Sequence, residues 1–216
     1  ECQLRSIQML LANKQKTDRQ QLADLFHFYQ SNNEVIYQNE ILDYYKKLDK
    51  QMLHICFSGH FSAGKSTLLN HLMGESLLPQ SPIPTSANIV EIKQGKEKAV
   101  VHFTKQAPIE MPSLPPTEQL HQLCQNGEEI KKVEIYKETA ELPKGVTLMD
   151  TPGIDASNDA DRLMTESSLH QVDVLFYVMD YNHVQSEVNA TFLKQIDGMN
   201  KPYYVVINQM DKHDNN

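Results

Sequence analysis

The chain has 216 residues, a formal net charge of −8 and 40% apolar residues. That is enough for one cored domain with an appendage, and it argues against a non-specific nucleic-acid binder, which carries a basic face. The three cysteines, Cys2, Cys56 and Cys124, are an odd set without metal-ligand spacing and read as reduced thiols of a cytosolic protein. No run approaches the ~18 uninterrupted apolar residues of a membrane-spanning helix, and no signal peptide is visible at Glu1.

Residues 1–50 contain neither Gly nor Pro. Thr17-x-x-Gln20 and Ser31-x-x-Glu34 have the form of capping boxes that open two helices. Leu22, Leu25, Phe26 and Tyr29 share one helical face, and Ile41, Leu42, Tyr45 and Leu48 share another. The segment is expected to form two or three amphipathic helices. They make either a hairpin packed on the next domain or half of a helical neck completed by a later segment.

From residue 51 to 216 the pattern is β/α alternation. Met52–Phe57, Val146–Met149, Val172–Met179 and Tyr203–Ile207 are short apolar runs suited to buried parallel strands. Helical stretches are expected near 65–73, 159–170 and 186–197. The expected fold class is α/β: a P-loop nucleotide-binding domain with a mostly parallel central sheet, its ligand at the C-terminal strand ends, preceded by the helical segment. An insertion between Thr85 and Asp150 holds expected strands near 88–94, 98–104 and 132–137. A Pro-rich loop (Pro108, Pro112, Pro115, Pro116) leads there into a short helix near 117–125.

The first expected strand runs into Gly59-His60-Phe61-Ser62-Ala63-Gly64-Lys65-Ser66-Thr67, which fits G-x-x-x-x-G-K-[ST] and opens a helix. Gly59 and Gly64 permit backbone angles that other residues resist. Successive N–H groups of the loop, through Ala63 to Thr67, then point at the β-phosphate, aided by the helix N-terminus. Lys65 is expected to bridge β- and γ-phosphate oxygens, and the Ser66 hydroxyl to ligate Mg²⁺. Thr85, in Pro82-Ile83-Pro84-Thr85-Ser86, is the candidate that completes the Mg²⁺ coordination, with Ser86 and Ser81 as competitors. Asp150-Thr151-Pro152-Gly153 follows another apolar run. Asp150 can hold Mg²⁺ through water, and the Gly153 N–H can sense the γ-phosphate. Asn208-Gln209-Met210-Asp211 follows the last run. Asp211 can accept from guanine N1–H and N2–H₂, a donor pair that adenine lacks, with Asn208 supporting the loop and the base edge. Gln209 stands where N-K-x-D has its lysine.

The chain has only Arg5, Arg19 and Arg162. Arg162 alone is placed to be an internal arginine finger, and its ordinary reading is a solvated helix residue. His54, His102 and His121 lie on apolar elements without ligand spacing and read as ordinary strand or helix residues.

The stretches Gly59–Thr67, Leu78–Thr85 (Leu-Pro-Gln-Ser-Pro-Ile-Pro-Thr) and Leu142–Gly153 (Leu-Pro-Lys-Gly-Val-Thr-Leu-Met-Asp-Thr-Pro-Gly) resemble bacterial dynamin-like proteins, the match covering roughly residues 51–216. The resemblance implies a large GTPase that converts GTP to GDP and phosphate. Its head domains pair as a homodimer across their nucleotide faces, and a helical trunk with a lipid-binding tip remodels or fuses membranes. It implies for Ser62 a part in orienting water and a charge-compensating K⁺ or Na⁺. Phe61 stands where classical dynamins have glutamine. It further implies a cytoplasmic protein, peripheral at the inner face of the bacterial cell membrane, with lipid contacted through parts outside this chain and no nucleic-acid partner. The chain stops five residues after Asp211 and reads as an N-terminal fragment. Two further readings stand beside this one: a nucleotide-gated interaction module with little turnover, and an Era-like GTPase with an RNA-binding appendage.

Overall fold

The computed structural model describes residues 17–60, 62–78, 89–125, 129–151, 169–198 and 201–211, without the side chains of Thr117, His121, Cys124 and Gln125. The chain divides into two compact units after Met52.

The first unit is a helical hairpin of α1 (Asp18–Ser31) and α2 (Val35–Asp49). Thr17 caps α1 as a full capping box. Its hydroxyl accepts the Gln20 N–H at 3.4 Å, and the Gln20 side chain accepts the Thr17 N–H at 3.0 Å. The second box, expected at Ser31, does not form. Ser31 ends α1, and its hydroxyl donates to the His27 carbonyl at 2.9 Å. Glu34 takes the N-cap of α2 without a side-chain cap bond. The last carbonyls of a helix are orphan acceptors, and a terminal serine satisfies one of them instead of capping the next helix. Leu25 and Tyr29 are buried, and Tyr29 stacks on Tyr37 with ring centroids 5.1 Å apart. Among the described residues no helix is long and apolar enough to cross a membrane.

The second unit is built on an eight-stranded sheet: β1 (Leu53–Gly59), β2 (Ile89–Gln94), β3 (Lys98–Phe103), β4 (Ile109–Met111), β5 (Ile130–Lys137), β6 (Val146–Asp150), β7 (Val174–Asp180) and β8 (Tyr203–Asn208). Its helices are α3 (Lys65–Met73), α4 (Thr117–Gln125) and α5 (Glu187–Gly198). The strand order is β4-β3-β5-β2-β6-β1-β7-β8. The sheet is mixed. β1 pairs in parallel with both β6 and β7, β7 with β8, and β2 with β5. The pairings β2–β6, β3–β5 and β3–β4 are antiparallel. Strand β4 was not expected: three residues between Pro108 and Pro112 are too few to display a period. The expected helix at 159–170 falls almost wholly outside the described residues, and 169–171 form a 3₁₀ turn.

The two sheet faces bury different sets. Phe57, Leu69, Ile92, Val133 and Val178 belong to one core. Cys56, Met149, Tyr177, Met179 and Phe192 belong to the other. Burial and the nearby Asp150 charge push the Cys56 thiol upward, which leaves it unreactive. Beyond that second core, the same sheet carries a buried charge cluster. Glu91 and Glu134 lie opposite each other on β2 and β5. The Lys93 Nζ is 2.7 Å from Glu91 and 3.1 Å from Glu134. The Lys132 Nζ is 3.0 Å and 2.9 Å from the same two carboxylates, and His102 Nε2 is 3.0 Å from Glu134. Burial alone raises a carboxyl, but Lys132 and Lys93, with His102 at Glu134, outweigh it and hold both acids below the usual carboxylate range. His102 thus stands beside a lysine–glutamate ion-pair network.

The parallel half of the sheet matters for function. β1, β6, β7 and β8 run parallel to one another, so their C-terminal ends lie together at one end of the sheet.

Candidate functional site

Strand β1 ends at Gly59, with φ of +148°. A Cβ there would stand 2.0 Å from the Val178 carbonyl oxygen of β7. Only glycine lets β1 lie this close to β7 and still turn into the loop. The loop continues through Ser62 (φ +61°) and Gly64 (φ +86°), both left-handed, and Gly64 is the N-cap of α3. The N–H groups of the first turn of α3 therefore start from a residue with no side chain to cap them, the arrangement that receives an anion.

Lys65 is buried, and its Nζ donates to the carbonyls of Gly59 and His60, 3.0 Å each. The ammonium is thus held across the mouth of the loop, within reach of a phosphate oxygen. The Ser66 hydroxyl donates to Asp150 Oδ2 at 2.6 Å, although the two are 84 residues apart in sequence. Asp150 itself is buried, and its Oδ1 has no hydrogen-bond partner among the described residues. Burial pushes this carboxyl upward, against the Lys65 charge, the Ser66 hydroxyl and the Thr151 N–H. A buried carboxylate oxygen without a donor, beside a hydroxyl, is a donor set of hard oxygens, and it fits a Mg²⁺ ion. The start of the Asp150 turn is pinned to β1: the Thr151 hydroxyl donates to the Phe57 carbonyl at 3.0 Å.

From β8, Asn208 Nδ2 donates to the Ala63 carbonyl at 2.9 Å, and Gln209 Nε2 to the Ser62 carbonyl at 2.6 Å. Gln209 takes a left-handed φ of +60° to do so. A Cβ on Gly64 would come within 2.6 Å of Asn208 Nδ2, so a larger residue there would push that amide off the loop besides straining the left-handed backbone. Asp211, in the turn after β8, is exposed, as are Ser62 and Thr67.

The fold therefore brings together Gly59, Ser62, Ala63, Gly64, Lys65, Ser66, Asp150, Asn208 and Gln209. Phe61, Ser81, Thr85, Ser86, Gly153 and Arg162 lie outside the described residues. Sequence reasoning missed Asn70, a buried residue of α3. Its amide accepts the N–H groups of Leu77 and Leu78 at 2.9 and 2.7 Å and donates to the Leu78 carbonyl at 2.8 Å. It so fixes Leu77 and Leu78 beyond the end of α3. The available signal was an asparagine inside an apolar helical stretch, where a polar side chain must find partners. The contact of Gln209 with the loop was also missed, because the pattern marked it only as a departure.

Comparison with known proteins agrees with this geometry. The profile of the Dynamin family matches residues 55–211. Dynamin-like protein A of Bacillus subtilis (strain 168) is 46% identical over 169 residues, which are 78% of this chain and 14% of that protein. Dynamin-like protein 2 of Campylobacter jejuni is 28% identical over 81% of this chain and 28% of its own length. A solved oligomerised bacterial dynamin pair, described as providing a mechanism for the long-range sensing and tethering of membranes, superposes with a TM-score of 0.61 at 24% identity. That match covers 81% of this chain and 28% of the other, and it speaks for the fold. The chain thus spans less than a third of each of these relatives.

Proposed function

The chain belongs to the dynamin family and carries its GTPase domain, and from that premise we propose that it binds GTP with Mg²⁺ and hydrolyses it to GDP and phosphate as the head of a membrane-remodelling protein. The observation that carries this reading is the meeting of Lys65, the Ser66–Asp150 pair and Asn208–Gln209 on one loop at the C-terminal ends of four neighbouring strands.

In the proposed mechanism the loop N–H groups from Gly59 to Thr67 take the phosphates. Lys65 leaves the Gly59 and His60 carbonyls for β- and γ-phosphate oxygens, exchanging neutral acceptors for charged ones. Ser66, Asp150 and Thr85 would hold Mg²⁺, and the ion would supply positive charge against the phosphates. Gly153 presents its N–H to the γ-phosphate, and Asp211 takes the guanine edge. Ser62 would orient the attacking water and a K⁺ or Na⁺ ion, and that ion would supply the positive charge for which this chain offers only three arginines. Two heads pair across their nucleotide faces, lipid is contacted by parts of the protein outside this chain, and the protein acts at the cytoplasmic face of the membrane. Nucleic acid is no partner.

Turnover of the complete protein tests this. GTP hydrolysis per molecule is expected to rise with protein concentration and to depend on which monovalent cation is present, and Ser62→Ala is expected to diminish both effects. A rate per molecule that is flat with concentration and indifferent to the cation would contradict paired-head hydrolysis and favour a nucleotide-gated interaction module.

A further inference from the structure

The phosphate loop is held from two sides, and only one of them belongs to a nucleotide-binding motif. Asn208 and Gln209 hold its later half through the Ala63 and Ser62 carbonyls. Its first half meets a residue outside every motif. The His183 ring stacks on the His60 ring, with centroids 5.4 Å apart and planes 15° from parallel. His60 is the residue whose carbonyl receives the Lys65 ammonium.

His183 is mostly exposed at its side chain, but its backbone is held from inside the protein. Tyr177, fully buried in β7, donates its hydroxyl to Asn189 Oδ1 of α5 at 2.8 Å. Asn189 is also buried, and its Nδ2 donates to the His183 carbonyl at 2.6 Å. Its N–H in turn finds the Ser186 hydroxyl at 3.3 Å. At the other end of the turn, Asp180 accepts the Asn182 N–H at 2.8 Å, which closes the single 3₁₀ turn Tyr181–His183. The Asp180 carboxylate also lies 3.6 Å from His183 Nδ1 and limits the swing of the ring. A buried hydrogen-bond chain that runs from the sheet to the carbonyl of one exposed histidine fixes where that histidine's ring stands. It stands against the phosphate loop.

We propose that His183 is a positioning residue for nucleotide binding: its ring braces His60, and through it the loop backbone beside which the Lys65 ammonium waits, in the arrangement that receives the β-phosphate. The inference rests on the reading of residues 59–67 as the phosphate loop. The brace acts by stacking, so a ring of similar size serves and a methyl group does not. It acts on the loop rather than on the γ-phosphate, so GDP and GTP are affected alike.

The test is equilibrium binding of fluorescent GDP and GTP by the complete protein carrying His183→Ala or His183→Phe. His183→Ala is expected to weaken both nucleotides by the same factor, roughly five- to tenfold, with His183→Phe within about twofold of wild type, the range that a stacked ring pair supports. The thermal midpoint is expected to stay put in both variants, since the ring lies at the surface. Wild-type affinity in His183→Ala overturns the proposal. So does a His183→Phe variant as weak as His183→Ala, which would move the role from stacking to the imidazole's polar atoms. A wild-type protein that binds neither nucleotide would sink the phosphate-loop reading itself, a result separable from an indifferent His183.

Discussion

Lys65→Ala is expected to abolish saturable nucleotide binding, with affinity lost by at least about 100-fold, on the order of 3 kcal/mol. The side chain is buried, and its ammonium rests on two backbone carbonyls at 3.0 Å. Neutral carbonyls are the weaker acceptors, so the charge has a net gain to make by moving to phosphate. No other lysine is buried among the described residues, so no neighbour can take its place. The variant frees the buried Gly59 carbonyl and the partly buried His60 carbonyl, so some loss of stability is expected beside the loss of binding. Titration with a fluorescent guanine nucleotide beside a thermal melt separates the two effects. Unchanged affinity would remove Lys65 from the site.

Gly59→Ala is expected to disrupt the second unit itself, with a stability loss above about 4 kcal/mol, the range reserved for backbone collisions and core disruption. The new methyl group would sit 2.0 Å from the Val178 carbonyl oxygen, in the pairing of β1 with β7. A carbonyl in a strand ladder cannot rotate away as the end of a side chain can. Gly74 supplies the control. It also has a left-handed φ, +70°, but open space around its Cβ position. Gly74→Ala is expected to cost only about 1 kcal/mol, the strain of the left-handed backbone alone. Denaturant unfolding of the two variants measures the difference. Equal losses would mean that β1 and β7 are not in this contact.

Much of this was legible in the chain because buried parallel strands are continuous apolar runs, and three of them run into motif residues. Gly59, Lys65, Asp150 and Asn208 could be ordered along the sequence before any fold was known. What brings Ser66 within 2.6 Å of Asp150 is the parallel register of β1 and β6, and local pattern carries no register. The outer sheet was harder to read. Glu91 and Glu134 look like solvent-facing alternation, yet they are buried because Lys93 and Lys132 lie over them. Ser31 misleads because S-x-x-E marks a helix start only when the serine is not already ending another helix. His183 and Asn189 were invisible for a different reason. Their significance comes from His60, which lies 123 residues before His183 and meets it only through the β1–β7 pairing.

Competitive displacement tests most directly whether this site selects a guanine nucleotide. A fluorescent GDP bound to the complete protein with Mg²⁺ is displaced by unlabelled GTP and, separately, by ATP. On the proposed role of Asp211, its carboxylate would face adenine without the two donors that guanine offers, and GTP is therefore expected to compete at least about tenfold better than ATP. Equal displacement by GTP and ATP would contradict the account.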